Sequence, residues 1–439
     1  MKRAFSFCRS STAVVVLGTA FVAATYGLVR LAYGLFLPDI QRDLGLDAAT
    51  AGYLASGSSL IYCVAATCGF VLADRAPTAL IGAAAVSACG GVWGMAASGT
   101  VGIFGACAVL SAAGAGFASP SLVSIIERTV DTADRGKAQS VVNAGTGPGL
   151  IGAGLVALAL LPDWRGAWWL IGGFTATVAV LLVVSATGPA TGSTRGRPAR
   201  PSRRWLLRHL PAAGGAAALG AGSAAVWVYG RTYLVDVADM SWHAAVAAWI
   251  LLGIGAAAVI ATAPAMARLT ATRAWMVGAG LMAGSIPILL LTPNPNAAIA
   301  IGTLVVGCIA FGWGFTAATS ALIAWTVHID PARAAAGTSL LFVALLLGQA
   351  IGSTVVGLLI TSAGYSVAFL TAAALGALSV PFGSAGFGGA GARHPTATGA
   401  PIRGSSAAPP ASPRRARTLP SEPPSAPTPM TSRRAWRSR

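Results

Sequence analysis

Long apolar stretches separated by short polar breaks dominate the chain. Residues 12–37 carry one formal charge, Arg30, among Ala, Val, Leu, Gly and aromatics. Ala48–Ala73 is free of charge, and Ala76–Ile126 is long enough for two helices turning near Ser98-Gly99-Thr100. Single runs follow at Ala138–Pro162 and Gly166–Thr194. After a basic interruption come Leu210–Gly230 and Ala244–Ala267. Two double-length runs close the series, Ala274–Val327 split at Thr292-Pro293-Asn294-Pro295-Asn296 and Ala334–Phe382 split near Ser362-Ala363-Gly364. A hydrocarbon core about 30 Å thick needs roughly 20 helical residues, so each run is read as a spanning segment. The runs are continuous and lack the alternation of a membrane barrel. The pattern predicts an all-α integral membrane protein of twelve transmembrane helices, six before the interruption and six after it.

Composition agrees: 55% of the 439 residues are hydrophobic and 9% charged, against about 25% charged in soluble domains. The formal charge of +17 raises a nucleic-acid reading, which its distribution argues against. With a cytoplasmic N-terminus, one side collects Lys2, Arg3, Arg9, Arg75, Arg128, Arg135, Lys137, six Arg from Arg195 to Arg208, Arg268, Arg273, Arg333 and nine Arg of the tail. The other side holds Arg42, Arg165 and Arg231. The positive-inside rule then places both termini in the cytoplasm of a bacterial inner membrane. The six cysteines show no C-x-x-C spacing, so neither a disulfide framework nor a metal is expected; no cofactor is expected either. The basic start and first apolar run resemble a signal peptide, but the run is long and leads straight into further spans, so it is read as the first helix.

The expected organisation is a cytoplasmic N-terminus (1–11), a six-helix bundle (12–186), a basic Gly/Pro/Arg-rich linker (187–208), a second six-helix bundle (209–383) and a basic tail (384–439). The tail, with Glu422 its one acid, cannot bury a core and is expected to be disordered, brushing anionic headgroups. The halves resemble each other. An offset of 196 lays residues 46–54 (LDAATAGYL) on 242–250 (WHAAVAAWI) and Tyr33-Gly34 on Tyr229-Gly230; an offset of 198 lays 114–117 (GAGF) on 312–315 (GWGF). Parallel repeats of this kind build secondary transporters that rock one half against the other.

Leu72-Ala73-Asp74-Arg75 looks like the signature loop of the major facilitator superfamily. Asn143, Gly145, Gly147, Pro148, Gly149 and Gly152 are similar to the Gly-Pro motif of that family's exporters, and Asp163-Trp164-Arg165 also fits. The chain thus resembles the major facilitator superfamily over residues 12–383. The resemblance implies that Asp74 and Arg75 form a conformational latch, degenerate here because Pro77-Thr78 replace the usual Gly and basic residues. It implies that Gly145, Gly147, Pro148 and Gly152 let helices approach and bend. The stretch Val109–Gly114 lacks the basic residue that the family's drug/proton antiporters carry there. The pattern Gly27-x-x-Arg30-x-Ala32-Tyr33 looks instead like a group of bacterial permeases with an Arg in the first helix.

A guanidinium facing lipid costs a few kcal/mol. With its helix ending near Leu37 and Pro38-Asp39 marking the exit, Arg30 lies roughly 10 Å below that end. Its same-face neighbours are Ala23, Tyr26, Gly27, Tyr33, Gly34 and Leu37, a small and phenolic stripe read as a cavity wall. Snorkelling to the interface and pairing with Asp39 are the alternatives. The candidate substrate-binding residues are Arg30, Tyr26, Tyr33, Asn143 and Gln349. The offset of 196 puts Val226 opposite Arg30, so no second charge is expected. Buried Ser and Thr are expected to bond their own helices. Trp164, Trp168 and Trp169 are read as an interfacial belt, and Tyr53 and Trp249 as packing residues. The acids fall at helix ends, in loops or in the tail, leaving Asp39 and Glu127, with His243, as candidates for proton coupling.

The four His are scattered, and no nucleophile–base pair or phosphate loop occurs, so an enzyme is not expected. The expected function is secondary transport of a small organic solute by a monomer, with efflux of small organic or amphipathic compounds ahead of an organic-anion uptake permease or facilitator using Arg30. A non-transporting membrane receptor or assembly factor is the rival from another class.

Overall fold

The computed structural model describes residues 11–73, 75–186 and 202–385, which are helical apart from short turns. Ten segments among them are long and apolar enough to cross a membrane. They are α1 (Ser11–Leu44), α2 (Ala48–Leu72), α3 (Pro77–Ala97), α4 (Val101–Thr129), α5 (Arg135–Leu160), α6 (Trp164–Ala186), α7 (Arg203–Asp236), α8 (Trp242–Met266), α10 (Ala297–Ile329) and the stretch Pro331–Ser384. Between α8 and α10 lies α9 (Ala271–Leu289), a further 19 residues of helix. The last stretch contains α11 (Ala334–Ala377), whose path breaks at Gly364, where φ is 84°, a conformation that suits a residue without a Cβ.

Polar side chains punctuate the helices where the sequence places turns. Thr100 and Asn296 cap α4 and α10 by accepting from backbone amides, as N-terminal N–H groups require. Asp47 caps α2 by accepting from the Thr50 amide at 2.7 Å, and hydrogen bonds from Thr50, its side chain first and its amide second, hold the carboxyl below the usual range. A lowered folded value makes the cap fully effective above the ordinary carboxylate range and weaker as pH falls through the folded value. Asp47→Ala is expected to cost about 1 kcal/mol in thermal or denaturant unfolding near neutral pH. The gap from wild type should shrink in acid.

Two boundaries differ from the expectation. Helix α1 does not leave at Pro38-Asp39 but continues to Leu44, where Gly45 (φ 68°) ends it in the left-handed region. Arg30 therefore lies about 21 Å from that end, mid-span instead of near the exit. Helix α7 starts at Arg203 behind a Ser202 cap, so residues 203–208 of the expected linker are helical. Residues 187–201 of the linker, the N-terminal residues 1–10 with Cys8, Asp74 of the latch and the tail beyond Ala385 lie outside the described residues.

One large apolar core draws on α1–α6 and α7–α11 together, and a second belongs to the first half alone, built from Val14, Phe21, Ile81, Leu122, Ile126, Val142 and Leu182. Contacts between the halves run through α1 with α7, α2 with α11, and α5 with α8. Many concentrate at the Gly45 end. Tyr229 donates to the Ala48 carbonyl at 2.8 Å and Ser56 to the Ala350 carbonyl at 2.5 Å. The expected tryptophan belt is corrected. Trp164 and Trp168 are buried, packing on Phe104 and Phe36, and only Trp169 is exposed. Trp249 is buried as a packing residue should be, whereas Tyr53 is exposed.

Candidate functional site

Mid-way along α1 the helix widens. Ala23–Arg30 is a π-helical turn, closed by the Leu31 amide bonding the Tyr26 carbonyl at 2.9 Å. Such turns shift the side-chain register and are frequent at functional sites. The shift splits the stripe expected from a regular 3.6-residue period. Gly27 turns to α5, where an added Cβ would lie 2.5 Å from the Gly149 backbone, and Gly34 turns to the Trp227 backbone of α7. Those residues are small because helices touch there, not because they line a cavity.

Arg30 and Tyr33 do line one, a cavity of about 40 Å³ with Ser58, Ser59, Trp227 and Gln349 in its wall. That volume holds two or three waters at most. The Arg30 guanidinium donates through Nη2 to Gln349 Oε1 at 2.7 Å and to Ser59 Oγ at 3.4 Å. Its Cζ stands 5.2 Å from the Tyr62 ring centroid, a cation–π distance. Arg30 Nε is buried and makes no hydrogen bond. Arg30 neither snorkels nor pairs with Asp39.

The other expected residues divide. Gln349 joins Arg30 across the halves, being on α11. Tyr33 donates to the Ala51 carbonyl at 3.2 Å. Tyr26 is absent from the cavity wall and is hydrogen-bonded to Tyr62 and, at 2.9 Å, to Ser119. Asn143 is exposed at the break in α5 and is absent from the cavity wall; the structure does not bring it to Arg30. The expectation that serines and threonines bond their own helices is met by Thr25, Thr319, Ser320 and Ser353.

The residues of the Gly-Pro segment have different surroundings. Gly147 meets α8, where a Cβ would come within 2.9 Å of the Ala257 nitrogen. Gly145 and Gly149 meet α1, while Gly152 has only Leu28 at 3.7 Å. Pro148 lines an apolar lateral groove with Val16, Leu28 and Phe174. Arg75 is exposed at the α2–α3 turn. Glu127 lies in the last turn of α4, at the end opposite Gly45 and away from the cavity.

Arg231 is the residue that sequence reasoning missed. Counted there only as a loop charge, it is 1% exposed and forms an ion pair with Asp39, which also binds Arg42 at 2.7 Å. Arg231 donates to the Leu35 carbonyl as well, at 2.6 Å. A signal existed: the offset of 196 pairs Arg231 with Leu35, and Asp39 stands one turn further on.

Ten described segments long and apolar enough to cross a membrane, with a polar cavity lined from α1, α2, α3, α4, α7 and α11, describe a multi-pass membrane bundle. The sequence profile of the Major Facilitator Superfamily matches residues 19–335, and the chain belongs to that family of transporters. No curated protein matches it in sequence. Among solved structures it is similar to a bacterial homologue of the human lysosomal transporter Spinster, in an inward-facing and unoccupied conformation. The TM-score is 0.68 at 16% identity, covering 86% of this chain and 96% of the other. It is similar also to the nucleoside transporter NupG, with TM-score 0.68, 14% identity, and 85% and 100% covered. A D-xylose–proton symporter gives 0.67, 14%, and 84% and 96%. At these identities the likeness concerns the fold.

Proposed function

We propose that the protein is a monomeric secondary transporter that moves a small organic solute through the Arg30 cavity by alternating access. The observation that carries this reading is the Arg30–Gln349 hydrogen bond, which ties α1 to α11 beside a cavity mid-way along α1. Counting α9 and the two arms of α11 as separate crossings gives twelve helices, arranged as bundles 12–186 and 209–383. The charge distribution favours the Gly45 end outside and both termini in the cytoplasm of a bacterial inner membrane. The contacts gathered at the Gly45 end then describe a carrier closed to the outside, the orientation named for the Spinster homologue. Asp39 and Glu127 are the coupling candidates. Asp39 is the better placed, since opening the Gly45 end would uncover it.

Export of small organic or amphipathic compounds follows from the Gly-Pro motif, and Arg30 favours anionic cargo in either direction. The test is transport in proteoliposomes, with a panel of anionic and neutral solutes and with or without a pH gradient. Arg30→Gln is expected to abolish movement of the anionic members. Intact transport by a thermally weakened Arg30→Gln protein would reassign Arg30 to structure.

A further inference from the structure

Three features of the cavity bear on what it binds. The guanidinium of Arg30 is the one charge among its described lining residues, and no carboxylate lines it. Its Nη2 is occupied by a neutral amide oxygen, Gln349 Oε1, at 2.7 Å. The adjacent Nε is buried and has no partner. A buried donor without an acceptor is costly, and a charged one more so. Nε and Nη2 lie along one edge of the planar guanidinium, the edge on which a carboxylate can accept two parallel hydrogen bonds. Gln349 offers that edge one oxygen where a carboxylate offers two and a negative charge.

We propose that Gln349 is an internal stand-in for the cargo, and that the site takes a compact monocarboxylate, which displaces Gln349 Oε1 and bonds Arg30 side-on through Nε and Nη2. This rests on the Arg30 cavity being the transport site. One cation and no acid in the wall match a net charge of −1. A zwitterion would leave its ammonium without a carboxylate partner, so a small hydroxy acid is preferred to an amino acid. Ser58 and Ser111 direct hydrogen bonds to the Ala108 carbonyl, which leaves their oxygen lone pairs for a hydroxyl of the cargo. Displacement has a mechanical consequence. The Arg30–Gln349 bond ties α1 to α11, so the arriving carboxylate releases one tie between the halves as it binds.

Trp227 in the cavity wall gives a direct readout. Full-length protein in lipid nanodiscs is titrated with acetate, lactate, lactamide and alanine, following tryptophan fluorescence and thermal stability. Acetate or lactate is expected to bind, with lactamide and alanine at least tenfold weaker. Gln349→Ala removes the competing oxygen and is expected to tighten carboxylate binding about tenfold, the worth of one hydrogen bond to a charged group. Gln349→Glu supplies a permanent internal carboxylate and is expected to abolish binding while keeping the wild-type melting temperature or raising it. Equal binding of lactate and lactamide by the wild type, or unchanged carboxylate binding in Gln349→Glu, overturns the inference. So does carboxylate binding that Gln349→Ala weakens. The transport reading fails separately. Proteoliposomes that move neutral solutes with no response to carboxylates keep the carrier and sink the monocarboxylate; proteoliposomes that move nothing in the panel sink the carrier itself.

Discussion

Asp39→Asn is expected to open the Gly45 end of the bundle and to lower thermal stability more than any other single polar change. The reason is the location of its partner. Arg231 is 1% exposed, and Asp39 is the carboxylate that neutralises it, with Arg42 already adding a second positive charge nearby. Removing one member of a buried pair strands the other charge, at about 3–5 kcal/mol. The pair joins α1 to α7, so the penalty falls on the conformation in which those helices touch. A cysteine placed at Ala51, fully buried beside this interface, should react faster with a membrane-impermeant maleimide in Asp39→Asn than in the otherwise wild-type protein. Replacing both partners, Asp39→Asn with Arg231→Met, should recover most of the lost stability, because no buried charge is then left unpaired; Arg42, which also loses Asp39, is exposed. Wild-type melting and labelling in the single variant would show that the pair contributes nothing to closure.

Gly147→Val and Gly149→Val are expected to fail in different ways despite being two residues apart. At Gly149 a Cβ would come within 2.9 Å of the Cα atoms of Ala23 and Gly27, backbone of α1 in the same half. That contact belongs to the bundle itself, so a branched side chain should cost about 1–3 kcal/mol or more in every conformation. The readout is a lower melting temperature and poor recovery from the membrane. At Gly147 the Cβ would meet Gly253 and Ala257 on α8, across the halves, at 2.9 to 3.1 Å. A wedge there penalises only the state in which α5 and α8 touch. Spin labels on α5 and α8 should therefore report a wider separation in Gly147→Val, with melting less affected than in Gly149→Val. Equal losses of stability and no change in separation would remove the distinction.

How much of this was legible beforehand depends on the range of the interaction. The spanning segments follow from runs of apolar residues, and their ends from Thr100, Asn296 and Gly364, since hydration and capping act on near neighbours. The importance of Arg30 was legible too, because one charge in an apolar helix demands a special setting wherever it lies. Its surroundings were less so. A regular helical period grouped Gly27 and Gly34 with Arg30, but the π-helical turn changed the register and sent those glycines to other helices. Asn143 looked as costly to bury as Gln349, and only one of them is buried at the cavity.

The sequence by itself determined the solvent and the family. Apolar length, few charges and the motifs of the Gly-Pro segment commit the chain to a helical bundle in lipid and to the superfamily whose profile it matches. Tertiary structure alone decided the partners. Arg30 meets Gln349 across 319 positions, and Arg231 meets Asp39 across 192. Electrostatic and hydrogen-bonding energies fall off over a few ångströms of space and take no account of separation along the chain. No local pattern can encode such a meeting, and the packing of α1 against α7 and α2 against α11 creates it.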